Sequence, residues 1–488
     1  MAADAEIEMA PGRMRLRAVA AEFAPGQIGL WDGISIIIGI VIGVTIFKAP
    51  PLIFSNVSGP WQGMAVWVLG GVLSIVGGLC YAELATAYPR SGGDYVYLTR
   101  AYGPWVGFIF GWAQLAAILT GSIGALAYVF ADYALEIWGG PMVRGVWYAV
   151  GAVLVLTLLN LCGMVLGRAA QNILTVAKMI GVGGILAAGL LWGGGASLLP
   201  QQAVTGPGLG LAFILVLYAY GGWNDAAFVA AELRNRRRNI PLALILGTGA
   251  ITLIYLLINM AYLWGLGFEG LRASRAPAGD VFKLMMGDWG GRGMSLLVMV
   301  SALGCINGLI FTGSRVYATL GADHTIFSWL GRWHPRLRTP LWSFLSQAAV
   351  VLIMILIVGT AAGRNGLDSL LQCAGLSALP WDRFGGGFGT LISGTAPVFW
   401  FFFLLSGLSL FVLRIKDPHT ERPFLVPLYP LLPLVFCLTS IGMLYSSVNY
   451  AKGLALLGIV PVLLGLPLYI ISRRMTIKTP TSFLETKQ

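Results

Sequence analysis

Apolar runs of about 20 residues recur along almost the whole chain, and each is long enough to cross a hydrocarbon core ~30 Å thick. Only 10% of the residues are charged and the mean hydropathy is +0.80, whereas soluble domains carry about 25% charged residues. This composition excludes a soluble multidomain enzyme and indicates one integral membrane domain. About twelve runs can be drawn, near 33–57, 62–88, 101–135, 145–162, 172–193, 208–232, 241–267, 292–321, 341–361, 391–413, 425–448 and 453–472.

The net charge of +11 is distributed unevenly between the loops on the two sides of the membrane. Numbered from a cytoplasmic N-terminus, the inner loops hold most of the Lys and Arg residues. This asymmetry follows the positive-inside rule and predicts a multi-pass plasma (inner) membrane protein with both termini in the cytoplasm. A basic face toward anionic lipid headgroups explains the charge, so no nucleic acid partner is predicted. The inner set includes Arg13, Arg15, Arg17, Arg234, Arg236, Arg237, Arg238, Arg473 and Arg474.

Two of the apolar runs are interrupted halfway. The run 33–57 contains Lys48 and the pair Pro50-Pro51, and the run 208–232 has Gly221-Gly222 at its centre. Irregular backbone at the depth of the bilayer is tolerated only where it lines a cavity or is buried in protein. Two broken helices in corresponding positions of two halves indicate the binding site of a secondary transporter.

The order of the spans indicates an internal repeat. Spans one to five and spans six to ten can be laid over each other, and each set opens with a glycine-interrupted helix. The predicted organisation is a cytoplasmic tail over 1–30, a first repeat over 31–193, a second repeat over 208–414, accessory helices over 425–472 and a cytoplasmic tail over 473–488. We also expect long outer loops over 268–291 and 362–390.

Five segments, in this order, resemble the amino acid–polyamine–organocation superfamily, and most of all its bacterial L-type amino acid transporter branch. They are GIVIGVTIF, YAELATAYPRSGGDYVYLTRAYGP, YAYGGWNDAAFVAAELRNRRRNIPLAL, VSALGCINGLIFTGSRVYA and DPHTERPFLVPLYPLLP. The resemblance covers roughly residues 28–472. It implies an all-α, LeuT-like fold with about 12 transmembrane helices: a 5+5 inverted repeat with broken helices 1 and 6, plus two accessory helices. Spans one, two, six and seven of this fold form a bundle that rocks against a scaffold of spans three, four, eight and nine.

The break in span one, Gly43-Val44-Thr45-Ile46, is the candidate site for a substrate carboxylate. A half-helix that begins after a break points free N–H groups and the positive end of its dipole into the gap. The related transporters usually have Gly-Ser-Gly or Gly-Ala-Gly here, so Val44 and Thr45 depart from that pattern and favour small amino acids. The alternative is ordinary helix packing through Gly39 and Gly43.

The break in span six is the candidate site for the substrate ammonium. Carbonyl groups of Tyr218, Ala219, Tyr220 and Gly221 stand at the negative end of a helix dipole, which suits a cation. The resemblance places Tyr218 where an aromatic gate covers the substrate. Alternatively, Tyr218 and Trp223 are interfacial or packing aromatics.

Two lysines fall inside predicted spans. A buried cation is costly in the bilayer unless it faces protein or water, so Lys178 in span five is a candidate functional residue. By resemblance it contacts the unwound part of span one in place of a sodium ion, which implies sodium-independent transport. The alternative is that Lys178 snorkels to the inner interface. Lys48 is placed toward the outer side of span one, with no assignable role.

Three further polar residues are candidates for coupling or structural roles. Asn307 in span eight lies near the substrate in similar transporters, but a helix–helix hydrogen bond is equally compatible with its position. Glu83 and Glu232 stand near inner helix ends, where ion pairs with Arg90 or Arg234 are expected. Glu232 is also a candidate for gating.

No metal site, cofactor or catalytic constellation is predicted. His324, His334 and His419 are too scattered for a metal site, and no P-loop is present. The chain is therefore not expected to be an enzyme or an ATP-driven pump. Similar animal transporters pair by disulfide with a single-span glycoprotein, but the loop 136–144 contains no Cys, so no such heavy subunit is expected.

These features indicate a secondary amino acid transporter that works by alternating access. Sodium-independent exchange of small or neutral amino acids is the leading mode, because Lys178 replaces the coupling ion. One alternative is proton-coupled symport, in which Lys178 or Glu232 would titrate, since burial lowers the pKa of a lysine. Another is a non-transporting amino acid sensor on the same scaffold.

Overall fold

The computed structural model describes residues 29–88, 93–161, 179–194, 197–199, 208–222, 234–334 and 339–477. Throughout these ranges the regular structure is helical, with no β-strand. Eight of the helices are long and apolar enough to cross a bilayer. The prediction of an α-helical membrane protein is thereby confirmed, while the count of twelve spans and the inverted repeat stay predictions.

The helices are numbered in chain order. In the first half they are α1 (Leu30–Val41), α2 (Ala49–Phe54), α3 (Pro60–Ala87), α4 (Asp94–Tyr102), α5 (Pro104–Trp138), α6 (Met142–Leu161) and α7 (Met179–Trp192). In the second half they are α8 (Leu209–Ala219), α9 (Arg236–Ala273), α10 (Pro277–Asp323), α11 (Leu341–Gly359), α12 (Ala361–Cys373), α13 (Gly386–Lys416), α14 (Leu431–Ala451), α15 (Leu456–Leu463) and α16 (Gly465–Ile477).

Two packed groups of helices border the interrupted spans. In the first, the bundle group, α9 lies against α1, α2 and α3, and α8 lies against α2 and α3. In the second, the scaffold group, α5 and α6 pack against each other and against α10 and α11. The resemblance assigns the spans of the first group to a bundle that rocks and those of the second to a scaffold, and this assignment stays a prediction.

Small residues allow the close approach of helices inside the bundle group. A Cβ added to Gly70 of α3 would come within 2.4 Å of Val216 on α8. One added to Gly71 would come within 2.2 Å of Thr252 on α9. Helices in a membrane associate largely through such packing, because lipid tails are as apolar as the side chains.

The two predicted outer loops are largely helical, so that part of the sequence interpretation is wrong. The segment 268–291 continues α9 and α10 around sharp kinks at Gly267 (φ 74) and Gly287 (φ 61). Glycine adopts positive φ without steric cost, which turns the chain without destroying the helices on either side. The segment 361–373 forms α12, and the Thr360 hydroxyl caps it by accepting from the Gly363 N–H at 2.9 Å.

The two ends of the molecule are named after the predicted orientation. The outer face is the end that carries the 268–286 segment and α12. The inner face is the end that carries α4 and the 417–426 segment.

Candidate functional site

The apolar run of span one is broken in the structure. Helix α1 ends at Val41, and Gly43 is extended with φ −95 and ψ −179. A short 3-10 helix, Val44–Phe47, follows, and α2 begins at Ala49. The half-helices therefore meet at the residues where the sequence predicted a gap.

The run of span six also stops in mid-course. Helix α8 ends at Ala219, and a turn over 220–222 follows in which the Gly221 N–H donates to the Tyr218 carbonyl at 3.0 Å. Gly222 has φ 106, a backbone conformation that favours glycine. The second half of this run, 223–232, lies outside the described residues, as do Trp223 and Glu232.

A single tyrosine of α9 joins the two breaks. The Tyr255 Oη lies 3.0 Å from the Val41 carbonyl oxygen and 3.0 Å from the Ala219 carbonyl oxygen. A tyrosine hydroxyl has one proton, so it donates to one of these carbonyls at a time. The ends of α1 and α8 are therefore at most two hydrogen-bond lengths apart.

Sequence reasoning missed Tyr255. The available signal was a tyrosine in the middle of an apolar span, because a buried phenol hydroxyl usually requires a hydrogen-bond partner. Tyr255 is fully buried, and in a broken-helix protein the freed carbonyl groups are such partners.

Tyr220 supports the junction with its side chain. Its hydroxyl donates to the Trp67 carbonyl at 3.0 Å, and its ring lies 5.9 Å from the Trp67 ring and 5.2 Å from the Tyr255 ring. Trp67 and Tyr255 are also in edge contact at 5.2 Å. The Tyr220 side chain is thus turned toward α3, and only its backbone remains available to a ligand.

The span-one break presents polar backbone groups. The side chains of Val44, Thr45 and Ile46 are buried. A helix leaves its first N–H groups without an intrahelical acceptor, and here those belong to Val44 and Thr45. A Cβ added to Gly43 would meet no atom closer than 3.8 Å, so packing does not require glycine at this position.

Tyr218 borders an internal cavity of about 40 Å³ between α5, α8 and α13. The walls are mainly apolar, with the hydroxyl-bearing side chains of Ser122, Thr395 and Tyr218 among them. The Tyr218 hydroxyl interacts with Ser122, and its ring meets Phe388 edge to face at 6.4 Å. The gate role of Tyr218 stays a prediction, but its side chain does line a cavity next to the span-six break.

Of the residues predicted to act in coupling, the structure describes Asn307 but not Lys178. Asn307 accepts a hydrogen bond from the Asn160 side chain of α6 at 2.6 Å, which is the helix–helix bond that the sequence left open. Its coupling role stays a prediction. Lys178 lies outside the described residues.

Glu83 has partners other than the expected one. It is completely buried and binds Arg414 through two hydrogen bonds of 2.8 and 2.6 Å. It also accepts from the Val426 N–H at 2.8 Å and lies 3.7 Å from the Arg422 guanidinium. Arg90 lies outside the described residues, so the expected Glu83–Arg90 pair is not described and arginines distant in sequence form the ion pairs.

Three relatives indicate what kind of protein has this architecture. The chain is 28% identical over 450 residues to the serine/threonine exchanger SteT of Bacillus subtilis, covering 91% of this chain and 96% of that protein. It is 31% identical to the human b(0,+)-type amino acid transporter 1, covering 86% and 82% of the two chains. It is 29% identical to the human cystine/glutamate transporter, covering 93% and 88%.

A family model agrees with these relatives and with the fold. The model described as "Amino acid permease" matches residues 28–462, a range that includes both breaks, Tyr255 and the Glu83 ion pairs. Proteins of this kind move amino acids across membranes and do not catalyse a chemical reaction. The chain therefore belongs to the amino acid permease family and is an amino acid transporter of the amino acid–polyamine–organocation superfamily.

Proposed function

We propose that this transporter exchanges small neutral amino acids across the plasma membrane, without sodium, by alternating access. One zwitterionic substrate binds in the gap between the span-one and span-six breaks. The observation that carries the proposal is the position of the Tyr255 hydroxyl, which is 3.0 Å from a carbonyl at the end of each broken helix.

The span-one side of the gap suits a carboxylate. The N–H groups of Val44 and Thr45 open the 3-10 helix, and a helix start carries a partial positive charge. The extended backbone of Gly43 suits any residue, and a Cβ there would have 3.8 Å of clearance. Because the fold does not need glycine at this position, we infer that the ligand does: a methyl group would occupy the place where a carboxylate approaches.

The span-six side suits an ammonium group. Tyr218, Ala219, Tyr220 and Gly221 end a helix, where carbonyl oxygens carry a partial negative charge. The Ala219 and Tyr218 carbonyls already accept from the Tyr255 hydroxyl and the Gly221 N–H. A carbonyl oxygen has a second lone pair, so these bonds orient the group without preventing a contact with the substrate.

The cavity beside Tyr218 supports a small side chain. Its volume of about 40 Å³ exceeds the roughly 10–15 Å³ that a cavity needs in order to hold one water molecule. A methyl or hydroxymethyl group fits such a space, and the Ser122 and Thr395 hydroxyls would complement a polar one. One relative is named a serine/threonine exchanger, which agrees with this size range and with exchange as the mode.

The remaining parts of the proposal rest on sequence. Lys178 would replace a sodium ion near span one, and Asn307 and Glu232 would take part in coupling or gating. The charge asymmetry places both termini in the cytoplasm. The cysteine-free loop 136–144 supports activity without a disulfide-linked heavy subunit. Reconstitution of the purified chain alone tests this last point directly.

The central experiment measures exchange by the purified chain in proteoliposomes. Vesicles preloaded with unlabelled serine should take up labelled serine much faster than empty vesicles, with or without sodium. Strong uphill uptake into empty vesicles under a pH gradient would instead establish proton symport. Binding without flux would establish a sensor. Lys178→Ala should slow exchange, and an unchanged rate and affinity would remove its proposed role.

The binding site is tested by Gly43→Ala. We expect serine affinity to fall about 10- to 100-fold, because charge-assisted hydrogen bonds to the carboxylate are obstructed. Gly151→Ala is the matched control, since a Cβ there meets nothing within 4 Å and is accommodated without a clash, as is one at Gly43. Equal affinities in the two variants would contradict a substrate at Gly43.

A further inference from the structure

An ion pair crosses from the bundle group to the scaffold group at the outer face. The Lys48 ammonium lies 2.8 Å from a carboxylate oxygen of Asp132 on α5. It also donates to the Arg275 carbonyl, at 2.9 Å, in the short connection between α9 and α10. One side chain of span one therefore holds both a scaffold helix and the outer connection.

The neighbouring residues repeat this connection. The Tyr133 hydroxyl of α5 donates to the Phe47 carbonyl at 2.6 Å, and both residues are fully buried. Two consecutive residues of α5 thus bind two consecutive residues of span one. The Tyr133–Phe47 contact is buried, whereas the Lys48–Asp132 contact is partly exposed: the Lys48 and Asp132 side chains are 11% and 29% exposed.

These bonds lie next to the proposed substrate gap, so opening the gap to the outside affects them. Phe47 and Lys48 directly follow Val44–Ile46, the residues that border the proposed substrate site. The outer half-helix α2 continues from Lys48 and packs against α8 and α9 of the bundle group. If α2 moves away from α5 to admit substrate from outside, both the Lys48–Asp132 pair and the Tyr133–Phe47 bond must break.

We propose that Lys48, Asp132, Tyr133 and the carbonyls of Phe47 and Arg275 form an outer latch, which closes the outer side of the substrate gap. Lys48 and Asp132 are positioning residues: they touch no substrate and set how often the gap is open to the outside. The proposal rests on alternating access as the mode of transport.

The exposure of the Lys48–Asp132 pair to water determines how much the pair shifts the equilibrium between the closed and open outer side. Ion pairs with this degree of exposure change an equilibrium by roughly two- to fivefold, because water competes for both charges. A weak bond is suitable for a latch that must open in every cycle. A fully buried pair at the same place would hold the outer side closed.

A native cysteine reports the opening. Cys305 on α10 is a partly exposed cysteine in the neighbourhood of Tyr218 and Tyr255. In a Cys373→Ser background, which removes an exposed thiol, a membrane-impermeant methanethiosulfonate reagent is added outside spheroplasts that express the full chain. Modification of Cys305 is followed by mass spectrometry.

Lys48→Met and Asp132→Asn should each raise the labelling rate roughly two- to fivefold. Combining Lys48→Asp with Asp132→Lys should return the rate toward that of the parent. Lys283→Met is the matched control, because Lys283 forms its ion pair, at 3.1 Å, with Asp280 of the same helix. Its labelling rate should equal the parent rate.

Parent-like labelling in folded Lys48→Met and Asp132→Asn proteins would overturn the latch. If either variant fails to fold, Tyr133→Phe removes the second bond without removing a charge and must also raise the rate. The readout needs no transport, so failure of the latch is separable from failure of the proposed function. Loss of exchange in the parent protein would count against the function alone.

Discussion

The outer and inner faces are both held by ion pairs, but the two ion pairs differ in their exposure to water. At the outer face, Lys48 and Asp132 are 11% and 29% exposed and meet through one contact. At the inner face, Glu83 is 0% exposed and has two bonds to Arg414, with Arg422 and the Val426 N–H as further partners. The same chemistry therefore gives a partly exposed, single contact at one end and a buried, multiply bonded one at the other.

The reason lies in the cost of removing charge from water. A buried carboxylate is tolerated only when its partners compensate for lost hydration. Glu83 has such partners in α13 and in the chain that follows it, so it fixes α3 to these elements. Lys48 and Asp132 retain part of their hydration, so breaking their contact costs little. The comparison predicts different responses to mutation, pH and salt.

The largest expected effect is that of Glu83→Gln. It leaves Arg414 and Arg422 without a buried counter-charge, and breaking such a network costs about 3–5 kcal/mol. Unfolding of the purified protein in detergent, followed by denaturant titration, measures the loss. Asp132→Asn is the control and should change stability by less than about 1 kcal/mol. Similar losses in the two variants would contradict the distinction between the faces.

Tyr255→Phe tests the junction of the span-one and span-six breaks, which lies between the outer and inner faces. The variant leaves the Val41 and Ala219 carbonyls without their hydroxyl donor, so we expect serine affinity to fall about tenfold. Tyr262→Phe is a matched control on the same helix: Tyr262 is also fully buried, but its hydroxyl has no hydrogen-bond partner among the described residues. The control should keep parental affinity. Equal losses of serine affinity in the two variants would show that the Tyr255 hydrogen bond does not contribute to substrate binding.

Asp94, a second buried carboxylate near the inner face, should make the stability of the protein depend on pH. Asp94 at the start of α4 accepts from the Ser406 hydroxyl at 2.7 Å. Burial raises the pKa of Asp94 from 3.8 to about 6, while hydrogen bonds from Tyr81 and Ser406 act in the opposite direction. Since the folded pKa lies above the unfolded one, protonated Asp94 favours the folded state at low pH, and this contribution is lost as the pH rises through about 6.

The measurement for Asp94 is the melting temperature of the parent protein minus that of Asp94→Asn, at a series of pH values. The asparagine does not titrate, so the difference isolates the carboxylate. It should fall between pH 3.8 and about 6 and level off above that range. A difference that rises with pH would show that Asp94 is stabilised as an anion by a cation.

The smallest expected effect is that of salt. Raising ionic strength from about 0.1 to 1 M shortens the Debye length from ~10 to ~3 Å, which weakens exposed pairs more than buried ones. Outside labelling of Cys305 should rise by less than about twofold in the parent protein and stay constant in Lys48→Met. The stability difference between the parent and Glu83→Gln should hardly change. A salt response that persists in Lys48→Met would have a source other than the latch.

The amino-acid sequence by itself determined the membrane class, the helical architecture and the positions of both breaks. Apolar runs show where helices cross, and glycine and proline show where they cannot continue, because these effects act within a few residues along the chain. The segments 43–46 and 218–221 could be named as the candidate site for the same reason, and their role in binding stays a prediction. The helical outer segments 268–286 and 361–373 were missed, since kinks at Gly267 and Gly287 look like loop glycines in sequence.

Only the tertiary structure decided which polar residues meet. Tyr255 bridges two breaks that lie 214 and 36 residues away from it, and Glu83 finds Arg414 at a separation of 331 residues. Lys48 had no assignable role until its contact with Asp132 was known. A sequence shows that a buried charge or hydroxyl needs a partner, but the identity of that partner depends on how distant helices pack, which no local pattern encodes.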